Sequence, residues 1–480
     1  MSRYIIGWLL ILIVSIDLAS SDPTSFRVPA GEILTKVNNG QPVEYDHVTI
    51  TGDLDLSQLN PSTLEGALHE TKVLGPLEKA IIINSPIRLN NCLIEGNVYM
   101  NNAIFGKVVN FNATRFNGSV YFQGSRFNGP SFFWASEFNK TTDFRNSTFI
   151  GFACFKYSKF DKNIDFTQSW FNGSADFSYL RFNESVDFVR VVFNGPADFS
   201  WSKFDRLNCQ NSKFYSRVLF WGSTFNKAAF FRGVEFNGET NFLDSRFNGR
   251  AEFRDAKFNC IANFESSKFN NTASFWSAQF SQDAFFLGAQ IESLDLSLAK
   301  YEKMYLRWDS INNSNLVYNV KCGATTYELL ATNFRNLGFL LDFDNCYYKF
   351  RKEQFLHRNF LADPLGYILE LGAWVFYGFG KRPLYPLAWS IGTILVFGAI
   401  WCIIGMNKRP HRCIWDKLYL LLSSFIFSAT IFLSGTKLFI DPPKISLSNS
   451  LMNGVFTLER AFGAFFFILF FLAIGSTIVR

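Results

Sequence analysis

Residues Phe171–Lys203 read FNGSADFSYLR, FNESVDFVRVV, FNGPADFSWSK, three lines of eleven residues with Phe at two anchor points in each, six and five residues apart. The anchors run on both sides of this stretch, from Phe105, Phe111 and Phe116 to Phe280, Phe286, Ile291 and Leu296. Two residues before each anchor the side chain is small or β-branched. On one half of the repeat it is mostly Ser (Ser136, Ser147, Ser158, Ser169, Ser202), and on the other Ala, Val or Ile (Ala153, Ile164, Ala175, Val186, Ala197). A large residue at i and a small one at i−2 is the period of an extended strand with both facing inward. The pattern breaks after each anchor at a turn rich in Asn, Gly and Ser, such as Asn172-Gly173 and Asn248-Gly249.

One such step cannot bury its Phe alone. Coiling the chain stacks Phe on Phe and lets each coil bond to the next, which is the logic of a solenoid. The residues resemble the pentapeptide-repeat family in its eleven-residue, Phe-rich variety, over about residues 81–300. That resemblance implies a right-handed quadrilateral β-helix, one step per side. The anchors from Phe105 onward then make about nine coils. Where Phe204, Cys209 and Phe214 follow at steps of five, a kink or bulge is expected.

The residue before each anchor should face solvent. It is acidic on one half of the repeat (Asp143, Asp165, Asp187) and basic on the other (Arg115, Lys159, Arg181), so charged columns should lie on alternate sides of the rod. A column of Asp could be read as a ladder for hard cations or as a solvated face screened by neighbouring Lys and Arg; the second reading is preferred. Some family members imitate DNA through acidic faces, but 22 basic and 18 acidic residues between 100 and 300 exclude that here. Asn-x-Ser/Thr sequons at Asn112, Asn117, Asn139, Asn146, Asn172, Asn183, Asn270 and Asn312 are glycan candidates and also by-products of the corner sequence.

The totals agree with a repeat. The 58 Phe, against 11 Trp and 17 Tyr, belong largely to one core, and a net charge of +6 over 480 residues does not call for nucleic acid. Eight Cys without a CxxC and four His without ligand spacing give neither a disulfide framework nor a metal motif. No phosphate loop, nucleophile elbow or HExxH is present, so no catalytic, cofactor-binding or metal-binding residue is assigned and no enzyme is expected.

In chain order, residues 1–21 read as a signal peptide, with Arg3, an apolar run and Ala19-Ser20-Ser21. Residues 22–80 read as an N-terminal cap with an excursion near 60–74, followed by the β-helix at 81–300. Residues 301–362 read as a helical hairpin built on Thr326–Leu337 and Asp342–Phe360, closed at Gly338. There Lys349, Arg351, Lys352 and Arg358 are placed to meet lipid headgroups. Residues 363–480 read as an α-helical membrane domain with spans at about 384–406, 418–435 and 461–479, and an interfacial helix at Leu365–Gly380. The loop carrying Lys408, Arg409, Arg412 and Lys417 against only Asp416 would be cytoplasmic. Three spans then put the rod outside and Arg480 inside.

The expected function is a membrane-anchored envelope protein whose external β-helix is a binding or scaffolding surface. Membrane lipid, and another protein or a second copy, are its expected partners. The alternative starts from Leu458–Arg480, which resembles the inner helix of a two-helix ion-channel pore module, with Ser428–Pro443 in the place of its pore helix and filter. Such a filter needs a Gly-containing carbonyl stretch. Gly435 followed by Lys437 and Leu438 implies a degenerate pore loop, with the β-helix as a regulatory domain.

Overall fold

The computed structural model describes residues 26–59, 80–311, 315–316, 323–406, 414–436, 440–441, 443 and 450–478. The signal peptide, the 60–74 excursion, Asn312, Lys408, Arg409, Arg412, Lys437 and Leu438 lie outside these residues. The chain divides into two units, Met1–Thr326 and Tyr327–Arg480.

The first unit is a four-sided β-solenoid of parallel strands. One face carries twelve strands in a single stack, from Val43–Asp46 to Met304–Tyr305. At the usual strand spacing that stack is about 53 Å long. Strand pairs lie 22 residues apart, as in Phe116 over Ile94 and Phe138 over Phe116. Numbering the faces in chain order, face 1 holds Phe138, Phe160 and Phe182, face 2 Phe144, Phe166 and Phe188, face 3 Phe149, Phe171 and Phe193, and face 4 Phe155, Phe177 and Phe199.

Each Phe lies on its equivalent one coil away with nearly parallel rings, 4.6 Å apart for Phe138 on Phe160 and 4.9 Å for Phe166 on Phe188. Rings of faces 2 and 4 meet edge to face across the middle, as Phe155 and Phe166 do at 5.6 Å. Both arrangements suit the aromatic quadrupole, and the core is closed along the rod, with the Phe of all four faces almost fully buried.

The Ser half of the repeat does more than leave room. These residues lead into faces 1 and 3, and each buried hydroxyl donates to a carbonyl of the coil before it, as Ser136 does to Phe111 O at 2.6 Å and Ser169 to Phe144 O at 2.5 Å. Ser202 Oγ donates to Phe177 O at 2.7 Å and accepts the Leu180 N–H at 2.9 Å. Ser202→Ala should therefore leave two buried backbone groups without a partner and cost about 1–3 kcal/mol in urea unfolding. Ser200→Ala, at a buried hydroxyl with no hydrogen-bond partner, should cost nothing. Equal losses would refute this role. The corner glycines are required by proximity: a Cβ on Gly195 would lie 2.4 Å from Gly173 O, and one on Gly173 2.4 Å from Gly151 O.

The start of the coils differs from the expectation, while the irregularity expected at Cys209 is present. Parallel stacking begins before residue 81, because Arg27–Pro29 pairs with Thr49–Thr51, and Val43–Asp46 with Ile87–Asn90. The stretch read as a cap therefore contributes coils of its own, with Val, Ile and Leu as the inward residues. The element that covers them is α1 (Ala30–Asn38), which buries Ile33, Leu34 and Val37. The step of five at Cys209 is taken up at the corner between faces 1 and 2, where the register shifts between Phe182 and Ser185 against the continuous strand Lys203–Asn208. A second slip, at Phe286–Ile291–Leu296, is absorbed at the same corner between Phe269 and Thr272.

The second unit is helical. Helix α2 (Gly323–Asn336) ends at Gly338, which takes φ +74°, and α3 (Leu340–Leu356) packs back on it through Tyr327 and Phe350, 5.5 Å apart. Helix α4 (Pro364–Tyr377) starts at the Asp363 cap and stops at Gly378. Three more follow, α5 (Leu384–Met406), α6 (Ile414–Leu433) and α7 (Ser450–Ile478).

Helices α5 and α7 run antiparallel: Trp401 meets Glu459, Phe397 meets Phe462, Trp389 meets Phe466 and Gly380 meets Ser476. Helix α6 runs in the direction of α7, since Ser428 meets Glu459 while Phe432 O lies against Gly463. It ends with Gly435 against Arg460 and Ala464, level with the middle of α7. Among the described residues two helices are long and apolar enough to cross a membrane, Leu384–Ile404 and Ser450–Ser476, and Lys417–Leu433 is a shorter apolar stretch within α6. The contact of Ser476 with Gly380 also puts the start of α5 and the end of α7 at one end of the bundle, where three spans would have separated them.

Candidate interaction surfaces

The charged columns lie where the repeat predicts. Arg115, Lys159, Arg181 and Lys203 are on face 1, and Asp143, Asp165 and Asp187 stack on face 2 in register. Each of these Asp has a partner within the protein. Arg145 folds onto Asp143 at 2.6 Å and reaches Asp165 at 3.8 Å, and Asn208 donates to Asp187 at 2.9 Å. Among the described residues no group of three or more His, Cys, Asp or Glu is placed to hold a metal ion. On face 3, Glu235 sits between Lys213 and Lys257 at 3.0 and 3.1 Å, which hold its carboxyl below the usual range.

Asp187 moves the other way. Burial raises its carboxyl, the Asn208 hydrogen bond opposes that, and Asp165 adds a smaller upward push. The folded chain therefore binds this proton more tightly than the unfolded chain. The ionised form costs stability at neutral pH, and the cost fades as pH falls through the folded pKa. Asp187→Asn can still accept from Asn208, so Tm should rise at pH 7, with the gain vanishing below about pH 4. A gain that is independent of pH would refute electrostatics as its source.

The sequon asparagines build a second ladder. Asn139 Nδ2 donates to Asn117 Oδ1 at 2.8 Å, Asn183 Nδ2 to Asp161 at 2.7 Å and Asn270 Nδ2 to Asn248 at 2.9 Å. The amide nitrogen that a glycan would occupy is engaged by the preceding coil at these three positions.

Sequence reading missed an aromatic edge. At the corner after face 4, five successive coils carry Trp134, Tyr157, Tyr179, Trp201 and Trp221, each 38–44% exposed. Trp134 meets Tyr157 edge-on at 6.2 Å, Tyr157 stacks on Tyr179 at 4.9 Å, and Trp201 lies 5.4 Å from Trp221. Lys156 sits over both tyrosines. Tyr157, Tyr179 and Trp201 have φ of 62°, 59° and 61°, a left-handed conformation that bulky side chains seldom adopt. The near-22-residue spacing of these aromatics, beside the louder Phe period, was the available signal.

In the helical unit the hairpin's basic residues are largely engaged within the protein. Glu370 of α4 is held by Arg351 at 3.3 Å and Arg358 at 2.8 Å, and Lys352 lies over Trp374. Burial lowers Lys349 below the usual lysine range. Of the four residues expected at headgroups, Arg351 and Arg358 thus share Glu370 as a partner.

Lys381 pairs with Asp344 of α3 at 3.2 Å and donates to Ser476 O of α7 at 3.3 Å. Deeper in the bundle, Glu459 of α7 is fully buried. It accepts from Trp401 Nε1 at 2.8 Å and is hydrogen-bonded to Ser428 Oγ, so one carboxyl joins α5, α6 and α7. Nothing in the LERAFG stretch marked Glu459 as an inward residue.

A family model described as pentapeptide repeats (9 copies) matches residues 89–137, 177–224 and 220–268. No curated protein and no solved structure matches the chain. The matched segments all lie in the stacked coils, with their Phe anchors and their alternation of Ser and Ala. Over these segments the chain is similar to the pentapeptide-repeat family, and the rod is a pentapeptide-repeat β-helix.

Proposed function

We propose that this protein is a membrane-anchored scaffold whose β-helix presents a binding surface on the outer side of the membrane. The observation that carries this reading is the closed Phe core. It leaves the rod no internal cavity chemistry, so any activity of the rod belongs to its outer columns. The exposed aromatic edge is the most unusual of them, paired with a helical unit that has two apolar helices of spanning length. Its partner is another protein or a second copy of the chain, docked on Trp134, Tyr179 and Trp201. The basic loop at Lys408–Lys417 follows α5 whereas the rod precedes it, which supports opposite sides and, by the positive-inside rule, an external rod.

Single cysteines at Asn194→Cys and Pro410→Cys, in a chain with its native Cys replaced, test this with an impermeant maleimide on whole cells. Labelling at 194 alone is expected. Labelling at neither would place the rod inside and overturn the reading.

A second reading has one observation in its favour: α6 runs parallel to α7 and stops level with its middle, the geometry of a re-entrant helix in a channel-like module. Gly435 marks its tip. Purified protein in planar bilayers should then give an ion-selective conductance, and repeated silence at high protein density would remove this reading.

A further inference from the structure

The ends of α5 and α7 meet the α2–α3 hairpin around Lys381, and two grooves open there, of about 450 and 440 Å³. Lys381 lines both. Arg382 lines the first and Arg335 the second, and the single carboxylate among the lining residues, Asp344, is the one already paired with Lys381. Among the described residues neither arginine has a carboxylate at ion-pair distance. Arg335 lies over the Phe343 ring, and Arg382 lies over Tyr348 and donates to Asn345.

The linings also hold apolar residues, of which Leu341, Leu384 and Leu472 are 68%, 71% and 58% exposed. Tyr347, Tyr377 and Tyr385 also line the grooves, and tyrosines are enriched at membrane interfaces. The level is fixed by the spans themselves, because Leu384 opens α5 and Ser476 lies in the last turn of α7.

The geometry points to a binding site for an anionic phospholipid. Its phosphate sits between Arg335, Lys381 and Arg382, and its acyl chains lie along Leu341, Leu384 and Leu472. Basic pockets beside the ends of membrane helices hold such headgroups, and two guanidinium groups without a carboxylate partner can each offer donors to phosphate. This inference rests on the reading that α5 and α7 cross a membrane. It relocates the expected headgroup contact from Arg351 and Arg358, which Glu370 occupies, to the arginines that no carboxylate holds.

The full-length chain, reconstituted in phosphatidylcholine nanodiscs with or without phosphatidylglycerol, provides the test, with unfolding followed by tryptophan fluorescence. Phosphatidylglycerol should raise Tm. The pair Arg335→Gln and Arg382→Gln should lose most of that rise while matching the parent in phosphatidylcholine alone, and the pair Arg335→Lys and Arg382→Lys should keep most of it. An undiminished rise in the Gln pair would overturn the site. So would the same rise produced by inorganic phosphate in phosphatidylcholine discs, which would make it a free-phosphate site. Failure to enter discs of either composition would instead overturn the membrane reading beneath it.

Discussion

Replacing Phe166 by alanine is expected to cost about 3–5 kcal/mol, enough to melt the middle of the rod well before its ends. The ring is fully buried, stacked at 5.1 Å on Phe144 and 4.9 Å on Phe188, and it meets Phe155 and Phe177 edge to face at 5.6 Å. A globular core can partly collapse around such a deletion. Here the spacing of the coils is set by backbone bonds above and below, as from Phe144 N to Asp165 O and Phe166 N to Asp187 O, both 2.7 Å, so the void should persist. Urea unfolding would measure the loss, with Phe152→Ala, at a ring 37% exposed, as the comparison expected to change little. A loss for Phe166→Ala below about 1 kcal/mol would mean that the coils close up, contrary to the rigidity expected of a stacked solenoid.

The second large effect is expected at Gly463. A Cβ there would stand 2.0 Å from Phe432 O, which is backbone and cannot swing aside, and a Cβ on Gly435 would stand 2.4 Å from Arg460 O. These two glycines let α6 and α7 touch along their main chains. Gly463→Val should push the helices apart and cost about 1–3 kcal/mol or more, seen as a lower Tm in detergent and faster proteolysis near Gly435. Gly454→Ala provides the contrast. Nothing lies within 4 Å of its Cβ position, so the added methyl should stabilise the helix by about 0.5–1 kcal/mol. Equal behaviour of the two variants would show that the close approach does not hold the bundle.

The solenoid was legible because its signal is repeated in register. Phe at steps of five and six, with Ser or Ala two residues earlier, determines which side chains point inward and forces the coils into four faces. Gly338 was legible for a local reason, since it ends a periodic helical run. The coils before residue 81 were read as a cap because Val28 and Ile50 do there what Phe does later, and without Phe the period is quiet. The brace from Ser202 to Phe177 could not be read either, because only the coil geometry shows that a small polar residue there faces a carbonyl.

The helical unit is less legible for a different reason. Hydropathy reports how apolar α6 is but not how deep it reaches. Its depth comes from the contact of Gly435 and Gly463 with their opposing backbones, and no window average contains that information. The acidic column was legible as a column. What it lacked in sequence was Arg145, two residues from Asp143, which folds back to neutralise it.

The Ser braces have a direction. Every one runs from a later coil to an earlier one: Ser147 to Phe122, Ser169 to Phe144, Ser202 to Phe177. During synthesis the earlier coil leaves the ribosome first, with its carbonyls set and α1 already covering its base. Each further length of about 22 residues then meets a finished template and needs no contact with chain still unmade. A rod built this way grows by one rung at a time as it is translated. Its slow step should be the first coil, and a stall late in translation should leave a shorter rod already folded rather than an unfolded whole.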